Sequence, residues 1–154
     1  MGYAILDGER EPGRLVSCGL VDVPRESSPA ERLLAIATAL DLLIAEHGPQ
    51  AMAVERLFFN KNARTAMAVS EARGVALLCA ARARLAIAEY TPQEVKQAVT
   101  GSGASDKRAV QRMIALLLPL ERPVTQDNVA DAIAICLTHA QRARFALVIE
   151  RAES

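Results

Sequence analysis

Hydrophobic and polar positions along the chain alternate between two kinds of pattern, and the changes mark the elements. Gly2-Tyr3-Ala4-Ile5-Leu6 is a short apolar run, residues 7–13 are rich in turn formers, and residues 14–23 are a second run. That order predicts two strands joined by a turn, an antiparallel hairpin. After a polar loop from Pro24 to Pro29, Leu33, Ile36, Ala37, Leu40 and Leu43 or Ile44 recur at three and four, which predicts a helix over 30–46. His47-Gly48-Pro49 stops it, because glycine takes the left-handed geometry past a helix end and proline cannot extend the helix. Residues 51–55 follow as a predicted buried strand.

The second half repeats the alternation. Residues 60–82 predict a long helix whose Gly74 permits close approach of another backbone at a cost in helix propensity. Residues 85–88 predict a strand ending at Glu89-Tyr90. Thr91-Pro92-Gln93-Glu94 is a strong helix start, with threonine to cap, proline at the first position and glutamate at the third. Thr100-Gly101-Ser102-Gly103 interrupts that helix, and Ser105 or Asp106 opens the next, buried through Val110, Ile114 and Leu117. Pro119 to Thr125 connects to a last helix that opens at Gln126 or Asp127 and runs to about Ala143. Strands alternating with helices after a hairpin predict an α/β fold, a mixed sheet covered by helices. One domain is expected over residues 1–143, with a tail over 144–154.

Composition narrows this reading. Of 154 residues, 51% are hydrophobic and only 3% aromatic, so one core of small aliphatic side chains is expected. Lys and Arg number 18 and Asp and Glu 18, so a nucleic-acid partner would need a local positive surface. Arg56, Lys61 and Arg64 with Lys96, Lys107, Arg108 and Arg112 could supply one. Cys18, Cys79 and Cys136 are far apart with no CxxC pair, which reads as reduced core thiols in the cytoplasm. No basic N-terminal region leads an apolar stretch, and no run approaches about 18 uninterrupted apolar residues, so neither secretion nor a membrane span is expected.

Candidate chemistry rests on acids. Glu55 closes the apolar run Ala51-Met52-Ala53-Val54, and active residues of open α/β sheets gather beyond the carboxyl ends of strands. A solvated strand-end glutamate is the bland alternative. Asp127 and Asn128 suit a helix N-terminus as caps, whereas Asp131 lies a turn further in, beside the predicted buried face. Asn128 and Asp131, three apart, point the same way, and with Glu55 they would offer hard oxygen ligands for magnesium or manganese and thus phosphodiester chemistry. His139 reads as a satisfied helix histidine rather than a ligand. Lys96 and Lys107 flank the glycine-rich break; they are solvated helix lysines, or, with the loop's N–H groups, they receive phosphates. Phe58 and Phe59 offer one ring for the core and one that could stack on bases.

Together these blocks resemble a known family. Residues 53–62, Glu71-Ala72-Arg73-Gly74-Val75, residues 90–103 with Asp106-Lys107, and Ala130-Asp131-Ala132-Ile133-Ala134 with Thr138-His139 are similar to RuvC, the bacterial Holliday junction resolvase family. The resemblance runs over roughly residues 2–143. It implies an RNase H-like mixed sheet with helices on both faces, and a homodimer that resolves four-way DNA junctions by paired symmetric nicks in recombination and repair, with a RuvA-RuvB branch-migration complex as partner. It further implies Mg2+, or Mn2+, held by Glu55, Asp131 and Asn128. Phe58 would be the ring entering the junction, and Lys96 and Lys107 would be phosphate contacts, with Arg56, Lys61 and Arg108 adding to the DNA surface. The Asn60 to Arg82 helix would supply much of the dimer contact.

The chain departs from the family's pattern twice. The resemblance implies a first central strand reading like Gly-Ile-Asp-Pro-Gly before Gly2, whose aspartate ligates metal. The 154 residues do not contain it, which implies a late start site or a truncation, and Asp7 is not its equivalent. Asn128 stands where the family most often has aspartate; its carbonyl oxygen can face a metal but cannot act as a base. These departures keep a second reading open, a RuvC-like protein that binds junctions without cleaving them, and behind it a different RNase H-like nuclease or a structural domain.

Overall fold

The structure, a computed structural model, describes residues 1–9, 11, 13–24, 26–56, 63–120 and 123–152, with the backbone alone at 63–65. Its elements are β1 (Gly2–Asp7), β2 (Arg14–Leu20), α1 (Pro29–His47), β3 (Ala51–Glu55), α2 (Ala63–Arg82), β4 (Ala86–Tyr90), α3 (Pro92–Thr100), α4 (Lys107–Leu117) and α5 (Asp127–Ala152). The architecture is mixed α/β and RNase H-like, with antiparallel and parallel strands flanked by helices. Among the described residues the strands form two ladders, β1 with β2 and β3 with β4, and no described strand joins β1 to β3. The chain divides into two compact units, Met1 with Leu20–Glu89, and Gly2–Gly19 with Tyr90–Ser154.

In the first unit, α1 begins with a complete capping box: the Ser28 hydroxyl accepts from the Glu31 N–H at 3.3 Å and the Glu31 carboxylate accepts from the Ser28 N–H at 2.7 Å. It ends at Gly48, whose φ of 54° is the left-handed conformation glycine adopts without strain. Its buried Ile36 and Leu40 face α2, which answers with the small residues Ala76, Cys79 and Ala80, so the two backbones come close. The Cys79 thiol points at the Ala37 carbonyl, 3.9 Å away. Strand β3 lies under α2, and its start pairs with the start of β4 through Ala86 N–H to Gln50 carbonyl at 3.1 Å. Two adjacent strands starting at the same end and joined by a 20-residue helix are a parallel βαβ unit. Where a buried strand is expected, Ala51 to Val54 are only half-buried: β3 has one ladder partner and one covering helix among the described residues.

The second unit is organised by α5 lying along β1. Gly2 sits so close to the first turn of α5 that a Cβ there would overlap the Asn128 carbonyl. The Cys136 thiol donates to the Ala4 carbonyl at 3.3 Å, and a Cβ on Gly8 would lie 3.3 Å from that of Ala140. From Gly2 to Gly8 a strand rises about 20 Å. From Asn128 to Ala140 a helix rises about 18 Å, so the two elements keep pace side by side. The other side of α5 buries Val129, Ala130, Ile133, Ala134, Leu137 and Thr138 in this unit, where α3 and α4 cover it. The core takes Val110 and Ile114 from α4 and Leu118 directly after it, whereas the expected Leu117 is only half-buried.

Two boundaries differ from the expected ones. Strand β2 ends at Leu20, before Val21-Asp22-Val23. Helix α5 runs on to Ala152 instead of stopping near Ala143. Its core-facing period ends at Thr138, but neither glycine nor proline follows, so nothing stops the helix, and Phe145, Leu147, Val148 and Ile149 are left exposed. By length and composition alone α5 could cross a membrane; its first three turns form the core of the second unit. Gly2→Ala is expected to lower stability by ~1–3 kcal/mol through backbone overlap, measured by thermal unfolding. An unchanged melting temperature would mean that β1 and α5 move apart freely.

Candidate nucleic-acid and metal site

The first-unit residues gather at the carboxyl ends of β3 and β4. Arg73, on α2, donates from Nε to the Glu55 carbonyl at 3.3 Å and from its terminal nitrogen to the Glu89 carboxylate. It therefore ties the two strand ends together and commits Glu89. The Glu55 residue is exposed at the end of β3, and Arg56 is exposed directly after it. Phe58 and Lys61 lie outside the described residues. Arg73 was within the sequence block that resembles the family, but nothing in its spacing marks a clamp.

In the second unit α4 and α5 bring their first residues together. The Asp106 carboxylate caps α4, accepting from the Ala109 N–H at 2.7 Å. Lys107 and Arg108 then stand in the first turn, both exposed, with no acid in that turn. A cation at the positive end of a helix dipole is unfavourable by roughly 0.3–1 kcal/mol. Lys107 is met by Asp127, the first residue of α5: Nζ lies 3.3 Å from Oδ2, while Gln111 Nε2 donates to Oδ1 at 3.2 Å. Asp131 stands one turn further along α5. Partial loss of water raises its carboxyl pKa, Lys107 opposes that shift and the Asp127 charge adds to it. Lys107 thus faces two carboxylates. Asn128, between them in sequence, is exposed.

The glycine-rich break is a closed turn. Gly101 N–H donates to the Gln97 carbonyl, Ser102 N–H to Thr100 Oγ1, Gly103 N–H to Gln97 Oε1, Ala104 N–H to Ser102 Oγ and Ser105 N–H to the Ser102 carbonyl. Every N–H from Gly101 to Ser105 is used within the loop or by Gln97 of α3, so a phosphate cradle made of these amides is not what the loop offers. It offers instead a rigid bridge between α3, which carries the half-buried Lys96, and α4, which carries Lys107.

A second network fixes α5 to the start of α3. Tyr90 and His139 Nδ1 are hydrogen-bonded at 2.8 Å, and burial holds the imidazole pKa below its usual value. Arg142 lies over the Tyr90 ring at 5.3 Å and pairs with Glu94 at 3.2 Å. Glu94 also accepts from the Thr91 N–H, completing the predicted capping box of α3. His139 is therefore the satisfied helix histidine the sequence suggested. The three cysteines are free thiols; burial pushes that of Cys136 up to about 12, so it stays protonated.

Among the described residues no three His, Cys, Asp or Glu side chains are grouped to hold an ion. Asp127 is spoken for by Lys107 and Gln111, and Asn128 brings no charge.

The fold and these blocks define an RNase H-like protein with the residues of a DNA-processing family. The family model for the crossover junction endodeoxyribonuclease RuvC matches residues 1–139, and this chain belongs to that family. It is 45% identical over 145 residues to the RuvC of Alkaliphilus metalliredigens, covering 94% of this chain and 88% of that protein. It is 46% identical over 140 residues to the RuvC of Moorella thermoacetica, covering 91% and 84%. Its structure is similar to that of T. thermophilus RuvC in complex with Holliday junction substrate, with a TM-score of 0.88 and 31% identity over 94% of this chain and 88% of that one.

Asp131 gives a stability test with a definite sign. Its folded-state pKa is raised, so the ionised form disfavours folding at neutral pH, and that penalty is absent below the unfolded value of about 3.9. Asp131→Asn should raise the melting temperature at pH 7 by on the order of 1–2 °C. The gain should vanish as the pH falls through the folded-state pKa to below about 4. A gain that persists in acid would assign it to packing.

Proposed function

We propose that this chain binds four-way DNA junctions as a RuvC-family protein, and that its described residues supply the binding rather than the complete cleavage chemistry. The observation that carries this is its similarity, over 94% of its length, to a RuvC held in complex with Holliday junction substrate. The exposed Lys107 and Arg108 at the start of α4 and the half-buried Lys96 of α3 would contact phosphates, as would the exposed Arg56 beyond β3 in the first unit. Phe58 and Lys61 keep the roles the family implies, the ring that enters the junction and a further phosphate contact. Supporting the restriction to binding, Asn128 replaces an acid, and no three-donor group is present among the described residues.

The second reading is metal-dependent resolution by paired symmetric nicks. It is favoured by the presence of both Glu55 and Asp131, the two acids the family would use for Mg2+ or Mn2+. A homodimer, a RuvA-RuvB partner and a cytoplasmic setting belong to either reading by family.

A labelled four-way junction, compared with a duplex of the same arm sequence, separates these readings. The chain should prefer the junction and leave it largely uncut in Mg2+ or Mn2+. Efficient paired nicking would establish the second reading, and equal affinity for the duplex would remove the junction. Lys107→Ala should weaken binding and reduce the slope of log affinity against log salt by ~0.7–0.9, the loss of one phosphate contact.

A further inference from the structure

We infer that Asp127 sets the junction affinity of this chain by occupying Lys107: its carboxylate is the intramolecular competitor that a DNA phosphate must displace. The inference rests on the phosphate contact proposed for Lys107. Its geometric basis is the two-point hold on Asp127, Oδ2 at 3.3 Å from Lys107 Nζ and Oδ1 at 3.2 Å from Gln111 Nε2. Lys107 and Gln111 are four apart and share one side of α4, so the helix grips both oxygens of the carboxylate at once. The ammonium stands at the positive end of α4, where the Asp106 carboxylate is committed to the Ala109 N–H and no acid lies in the first turn itself, so an anion from outside the helix stabilises it.

A phosphodiester and a carboxylate each carry one negative charge, so either can satisfy the ammonium. When phosphate takes Lys107, Asp127 loses its ion pair and is left beside an anion. Both consequences lower affinity, but only the first runs through Lys107. The pair is open to solvent, its side chains 66% and 58% exposed, which makes the competition modest. Exposed pairs are worth ~0.2–1 kcal/mol, or about 1.4- to fivefold in affinity.

The test is a double-mutant cycle on the full chain, read as the dissociation constant for a labelled synthetic four-way junction at low salt. Asp127→Asn should tighten binding about 1.4- to fivefold, and in the Lys107→Ala background that gain should shrink to the part that comes from direct repulsion of DNA. Gln111→Ala, which leaves every charge in place but loosens the carboxylate, should give a smaller gain of the same sign. The inference is overturned if Asp127→Asn binds like the unaltered chain while Lys107→Ala weakens binding. An equal gain in both backgrounds also overturns it, since direct repulsion of DNA by Asp127 would then be the whole effect. If Lys107→Ala itself changes nothing, the phosphate contact and the competition fall together. Should Asp127→Asn melt early, Asp127→Ser, which keeps a polar side chain at the helix start, and Gln111→Ala carry the same comparison.

Discussion

The second unit depends on a steric allowance, the absence of a side chain at Gly2. Because nothing projects there, the start of β1 lies against the first turn of α5, and the strand and helix then run together as far as Gly8 and Ala140. Small residues on both sides keep that approach close, since each added methylene would have to be accommodated by backbone displacement. The face of α5 turned to α3 and α4 is filled by alanine, valine, isoleucine, leucine and one threonine, whose hydroxyl is satisfied by the Ala134 carbonyl. A helix held this firmly can carry groups that do not favour folding. Asp131 is such a group, partly desolvated and facing another carboxylate.

Charges at the starts of α4 and α5 obey the rule for one helix and break it for the other. Asp127 and the capping Asp106 suit the positive end of a helix; Lys107 and Arg108 do not. A local rule broken on an exposed turn, with no packing gained, is a mark of function more than of stability. The resulting Lys107–Asp127 pair offsets the conflict within the protein, and because it is exposed it can be exchanged for an external anion at small cost. The rigid turn from Gly101 to Ser105 keeps α4 in place beneath these cations, its own amides already satisfied.

The sequence made most elements readable because their signals are local. Thr91 and Asp106 at helix starts, Gly48 and Gly101 at helix ends and the run from Ala51 to Glu55 mark boundaries by chemistry that needs no tertiary context. The end of α5 was not readable, since the period that ends at Thr138 reports which face is buried and not where the backbone stops being helical. The candidate residues were legible as types, and the resemblance assigned them roles. Their pairings were not: Arg73 reaching Glu89 and Asp127 reaching Lys107 span 16 and 20 positions, and no spacing rule links residues on different elements. The use of the loop amides inside the Gly101 turn was equally invisible, because glycine and serine at those positions suit either a closed turn or an open anion cradle.

Two-stranded ladders are marginal by themselves. Among the described residues β1 and β3 each have one ladder partner, so each unit must draw its stability from helices laid on its strands. The units achieve this differently. In the first, Ile36 and Leu40 of α1 pack on small residues of α2, which lies on β3 and also ties the strand ends through Arg73, which holds the Glu55 carbonyl and the Glu89 carboxylate. In the second, α5 contacts β1 along the length of the strand. Losing a polar clamp would therefore disturb the strand ends where Glu55 stands, while α1 and α2 keep their apolar contact. Losing the close fit of β1 on α5 would disturb the core and the position of Asp131 together, because one helix provides both.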